Sequence, residues 1–137
     1  MARAQLRLPA DERAAARVKL LVERFCKQHR LPKAVSNAVN LSLDEIVSNI
    51  VAHGYGRKPG RLSIVLHCDR RTFSIVVEDK GQPFDPTRAK VAPRGGPLAT
   101  RRPGGLGLLF VKNLMDDITY QRAGATNRLR LVKRLAP

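Results

Sequence analysis

Tryptophan is absent from this chain, tyrosine occurs twice, and aromatic residues make up only 4% of it. A core built with so few rings must rest on Leu, Val, Ile and Ala. The same scarcity argues against a surface that stacks single-stranded nucleic acid, which needs aromatic platforms. Cysteine is nearly missing as well. Cys26 and Cys68 lie far apart, and His29, His53 and His67 are not in ligand spacing with them. That excludes a thiol–metal centre and leaves buried free thiols in a reducing cytoplasm as the expectation. No apolar run approaches the roughly 20 residues that cross a bilayer, and no secretory leader is recognisable. No membrane association and a cytoplasmic location are therefore expected.

Acidic residues are the other shortage. Asp and Glu number 11 against 26 Lys and Arg, a formal charge of +15. Such an excess attracts polyanions: nucleic acid, acidic protein surfaces or nucleoside triphosphates. The cations spread along the whole chain, which excludes a single disordered basic tail. From Lys80 to Lys112 the one acid is Asp85, set among Arg88, Lys90, Arg94, Arg101 and Arg102.

What is present is patterned. With 137 residues and 43% hydrophobic content, the chain reads as one domain, 1–137, with a proper core. Leu6 and Leu8 alternate as a weak edge strand. Pro9-Ala10-Asp11-Glu12 starts a helix whose apolar spacing runs to about Gln28. Leu31-Pro32 opens a second helix, predicted to end at His53-Gly54 with Gly54 as a left-handed cap. Two alternating strands, around 62–68 and 73–78, flank a turn at Asp69-Arg70-Arg71 and form a hairpin. Prolines and glycines crowd 80–105, a long loop of the kind that carries function. A helix to about Met115 and a hairpin turning at Ala123-Gly124-Ala125 follow. Strands outside a strict βαβ rhythm predict an α+β two-layer sandwich, its mixed, mainly antiparallel sheet covered by helices on one face.

Three segments carry candidate chemistry. Gly104-Gly105-Leu106-Gly107-Leu108 stands where a helix begins. There, bare backbone N–H groups and the helix dipole favour a phosphate, although a tight turn also explains the glycines. Glu45, Asn49 and His53 recur every fourth residue and form one helix stripe. The stripe reads either as a solvent-facing surface or as an oxygen-rich patch. In the second reading the carboxylate orients a hydroxyl and the amide oxygen ligates Mg²⁺. Asp79-Lys80-Gly81 ends a buried-looking strand, either as a turn or as a ligand-binding Asp with close backbone approach at Gly81.

Together these segments resemble the N, G1 and G2 boxes of the GHKL (Bergerat) ATP-binding fold shared by gyrase, histidine kinases and MutL. The resemblance runs over nearly the whole chain. Its finer match is to the anti-sigma factor serine-protein kinases of the RsbW and SpoIIAB type. Leu43 to Tyr55 resembles their N box with its terminal His-Gly-Tyr, Asp79 to Pro86 their DxGxPFDP segment, and Gly104 to Asp116 their GGLGLxLVxxLMD segment. Pro83 stands where the wider superfamily has a second glycine, as is common in the kinase branch.

The resemblance implies ATP and Mg²⁺ as cofactors. Asn49 would ligate the metal and Glu45 would act as general base or positioner. Asp79 would accept from the adenine amino group beside Gly81, and the backbone of Gly104 to Leu108 would hold phosphates. Residues 87–103 would be an ATP lid, its Arg88, Arg94, Arg101 and Arg102 facing the γ-phosphate. His53, Phe84 and Thr126 with Asn127 would complete the nucleotide site. It further implies a homodimer, a sigma factor partner, and a STAS-type anti-sigma-factor antagonist phosphorylated on serine. The competing readings are a nucleotide-dependent binding module without turnover and, least favoured, a direct nucleic-acid binder.

Overall fold

The structure is a computed structural model and describes residues 1–88 and 105–136. Five strands form one sheet: β1 (Ala2–Pro9), β2 (Arg61–Cys68), β3 (Thr72–Asp79), β4 (Asp117–Ala123) and β5 (Thr126–Arg134). Their spatial order is β1-β2-β3-β5-β4, and every neighbouring pair is antiparallel. The expected mixed sheet thus has no parallel ladder among the described residues, for a topological reason. Helices α1 (Ala14–Gln28) and α2 (Lys33–Asn49) run down and back between β1 and β2. The single helix α3 (Gly105–Leu114) between β3 and β4 makes those two strands co-directional, but β5 lies between them.

Pleat alternation puts Leu62, Ile64, Leu66, Phe73, Ile75, Val77, Leu129 and Leu131 on one face, all buried. Val18, Val22 and Phe25 of α1, Val39, Leu43 and Val47 of α2, and Leu108 and Val111 of α3 close over them. Phe25 meets Phe73 with ring centroids 5.4 Å apart. Each such aliphatic side chain contributes about 1.5–3 kcal/mol by leaving water. The other face of the sheet carries no helix among the described residues.

Element ends depart from the sequence pattern in two instructive places. Helix α1 begins at Ala14, because Asp11 Oδ1 accepts the Arg13 N–H at 2.9 Å and its carbonyl takes the Ala14 N–H. The acids therefore sit in a turn before the helix rather than in its first turn. At the other end Leu31 N–H bonds Cys26 O and Arg30 N–H bonds Lys27 O, a Schellman closure with Arg30 at φ 55°. Helix α2 stops at Asn49 and widens into a π-turn over Ile50–Gly54. Gly54 is not left-handed; that conformation falls to Gly56, at φ 62°. The His53 and Gly54 carbonyls at this end are taken by the chain after β3.

Candidate functional site

The up-and-down path of the chain delivers the three motif segments to one pole of the sandwich. Strand β3 ends there at Asp79, which pairs with Asn127 at the start of β5. Helix α2 rises to the same pole. Helix α3 descends from it, since its last turn lies at the far end of β5, where Lys133 Nζ donates to Leu114 O at 2.7 Å. The α3 N-terminus at Gly105 therefore opens onto the pole that holds Asp79 and Asn49.

Asp79 is 8% exposed and Asn127 5%. A carboxylate this deep must be hydrogen-bonded. Oδ1 accepts from Gly81 N–H at 2.9 Å and from Asn127 Nδ2 at 3.0 Å, so both hydrogen bonds from described residues fall on one oxygen. Asn127 is the hub of the network. Its amide also donates to Gln82 O at 2.9 Å, and its Oδ1 accepts from Arg122 Nη1 at 3.0 Å and from the Tyr120 hydroxyl. Arg122 in turn donates to Gly81 O at 2.8 Å.

The loop after β3 is stitched to the end of α2. Gln82 N–H bonds Gly54 O and Gln82 Nε2 bonds His53 O, each at 2.7 Å. A Cβ on Gly81 would sit 2.4 Å from Gly54 O, so only glycine admits this backbone approach. Tyr55 adds a second stitch: its hydroxyl accepts Lys80 N–H at 2.7 Å and donates to Arg61 O. The last carbonyls of the π-turn thus find partners outside the helix, and such turns recur at functional sites.

On α2, Glu45 and Asn49 are half-buried, and Asn49 Nδ2 donates to Glu45 Oε1 at 3.2 Å. His53, at the far end of the stripe, is exposed. The bond aims the amide nitrogen at the carboxylate and leaves Asn49 Oδ1 pointing elsewhere, a hard oxygen suited to Mg²⁺.

The remaining expected residues are placed unevenly. Phe84 is 46% exposed. Arg88 ends a short 3₁₀ turn (Pro86–Arg88) and pairs with Asp85 at 3.5 Å. Gly105, Leu106 and Gly107 form the first turn of α3, and Leu108 is buried behind them. Thr126 starts β5 but alternates to the face opposite Asn127. Gly104 and most of the expected lid, with Arg94, Arg101 and Arg102, lie outside the described residues. Sequence reasoning missed Tyr55, Gln82, Tyr120 and Arg122 as supports. Tyr55, inside the N-box resemblance, and Gln82, inside the Asp79 to Pro86 resemblance, offered a signal; Tyr120 and Arg122 did not.

A two-layer α+β sandwich with these segments at one end is the GHKL-like ATPase fold. The chain belongs to the histidine kinase-like ATPase domain family, whose pattern it matches over residues 8–133. It is homologous to the RsbW and BtrW serine-protein kinases. The serine/threonine-protein kinase BtrW of Bordetella bronchiseptica is 31% identical over 117 residues, covering 85% of this chain and 82% of that protein. The serine-protein kinase RsbW of Staphylococcus aureus is 28% identical over 129 residues, with 89% and 81% covered. The crystal structure of the RsbU and RsbW domains of a Mycobacterium tuberculosis protein shares the fold, with a TM-score of 0.68 at 18% identity. The alignment takes in all of this chain and 34% of that longer one.

Proposed function

We propose that the protein is an ATP- and Mg²⁺-dependent protein serine kinase that also acts as an anti-sigma factor, the whole chain serving as one nucleotide-binding domain. The observation that carries this reading is the retained Glu45–Asn49 pair, hydrogen-bonded at the pole that also holds the buried Asp79. A binding module alone has no need of a carboxylate oriented in this way.

The donor set fits the proposed ligands. Asp79 keeps Oδ2 apart from both its Gly81 and Asn127 bonds, so it can accept an exocyclic amino group. Asn127 and Arg122 hold that carboxylate and the Gly81 carbonyl in register. Asn49 Oδ1, with phosphate oxygens, would hold Mg²⁺, which when bound neutralises phosphate charge. The N–H groups of the first turn of α3 would hold phosphate oxygens. Glu45 would take the proton of the substrate serine hydroxyl as its oxygen attacks the γ-phosphorus and ADP leaves. The Asn49 amide bond keeps the carboxylate aimed for that task. The substrate in this reading is a STAS-type antagonist, and the sequestered partner a sigma factor bound by a homodimer.

The test is transfer of labelled γ-phosphate to a purified antagonist protein. Glu45→Ala is expected to lower kcat by about 10²–10⁴-fold while ATP affinity, read by calorimetry, stays within a fewfold. Asp79→Asn is expected to abolish the heat of ATP binding. Nucleotide-dependent partner capture with no phosphoserine in the wild type would instead select the non-catalytic binding module.

A further inference from the structure

The second face of the sheet carries an unusual surface. Pleat and register put Arg3 and Arg7 of β1, Arg61 of β2, and Arg128, Arg130 and Arg134 of β5 on that face. All six are exposed. Acids on the same face are Glu78 and Asp117, but the ion pairs among the described residues are Arg88–Asp85 and Lys133–Asp116. None of the six guanidinium groups is therefore held by a described carboxylate.

Two further features narrow the ligand. Every cation named on this face is arginine, whose planar fork meets carboxylates two bonds at a time. The middle row of the face runs Gln5, Val65, Val76 and Arg130; its two valines are direct cross-strand partners, and Val132, 8% exposed, lies diagonal to them on β5. A small aliphatic patch set among arginines matches the composition of protein–protein interfaces, where arginine is enriched beside buried apolar contacts. Phosphate-backbone binding requires no such patch, and among the described residues the face offers a single stacking ring, the His67 imidazole opposite Arg3.

The basic rim continues around one end of the sheet. There Asp69 Oδ1 accepts the Arg71 and Thr72 N–H groups at 2.7 and 2.8 Å, fixing the β2–β3 turn. Beside it opens a cavity of about 520 Å³ lined by Arg70, Arg71, Thr72, Arg134 and Leu135. A second copy of the chain docking face to face would set like charges against each other, which disfavours self-association here.

We propose that the uncovered sheet face docks a partner protein that presents carboxylates around an aliphatic patch. This surface is separate from the nucleotide pole and does not depend on the kinase reading. The test uses a synthetic amphipathic helix with a leucine stripe flanked by glutamates, its lysine-flanked counterpart, and random-sequence duplex DNA. Binding is followed by fluorescence anisotropy and by amide chemical shifts. The glutamate peptide is expected to bind and to shift outer-face amides of β2, β3 and β5, whereas the lysine peptide does not bind. Its affinity should fall at least about tenfold in Arg3→Ser/Arg128→Ser/Arg130→Ser, and separately in Val65→Ser/Val76→Ser, with thermal unfolding confirming that both variants fold. Failure of the peptide to bind overturns the proposal. Competition by DNA that is indifferent to the valine pair overturns it in favour of a nucleic-acid surface. Concentration-dependent sedimentation abolished by the arginine variant overturns it in favour of a self-interface.

Discussion

Asn127 shows how much one buried amide can organise. It bonds Asp79, Gln82, Arg122 and Tyr120, and thereby ties β3, its following loop, β4 and β5 together. In Asn127→Ala the Asp79 carboxylate keeps the Gly81 N–H but loses its side-chain donor. Stability is expected to fall by about 2–4 kcal/mol in urea titration, more than a solvent-exposed hydrogen bond would cost. Cys26 makes a second point about single groups. Burial, with Cys68 adding to it, pushes its thiol from the ordinary 9.0 up to about 11. Its pKa is raised on folding, so this thiol's contribution to stability is intact below pH 9. It is lost as pH rises from 9 towards 11, where the unfolded thiol ionises first. The alkaline slope of unfolding free energy should therefore be shallower in Cys26→Ala than in the parent. The thiol is no nucleophile at neutral pH and should resist iodoacetamide until the protein unfolds.

The secondary elements were legible wherever one period dominated. Helix α1 keeps Val18, Val22 and Phe25 in phase, and the β2–β3 hairpin keeps its alternation on both strands. Their ends were less legible, because local bonds compete with the pattern. The α2 pattern runs on through Val51, yet the α-helix stops at Asn49 and continues as a π-turn whose last carbonyls bond to Gln82, remote in sequence. Arg30 is the opposite case: nothing in its identity announces a left-handed residue, and the Schellman bonds impose one. Arg30→Gly removes a Cβ that crowds this conformation. It is expected to stabilise the protein by about 0.5–1 kcal/mol, read as a higher midpoint in thermal unfolding.

The molecule taken whole is a strongly positive particle, +15 on 137 residues. Among the described residues ion pairing is sparse, so most of this charge is uncompensated self-repulsion. Raising NaCl from about 0.02 M to about 0.5 M, where screening acts within a few ångströms, should raise the melting temperature by several degrees. A molecule balanced by surface ion pairs would show the reverse. Among the described residues no helix is long and apolar enough to cross a membrane.

Composition, periodicity and the order of short motifs were enough to specify an α+β sandwich of the ATPase kind, with Glu45, Asn49, Asp79 and the α3 glycines as its candidate chemistry. Those properties are local: each depends on residues a few positions apart. The role of Asn127 as the partner of Asp79, the need for glycine at position 81 and the arginine face belong to another category. They arise from strand register and from residues meeting far along the chain, as Gly54 meets Gly81 across 27 positions, Asp79 meets Asn127 across 48 and Arg3 pairs with His67 across 64. No local pattern encodes such a meeting; it exists only once the core has closed and set the distances.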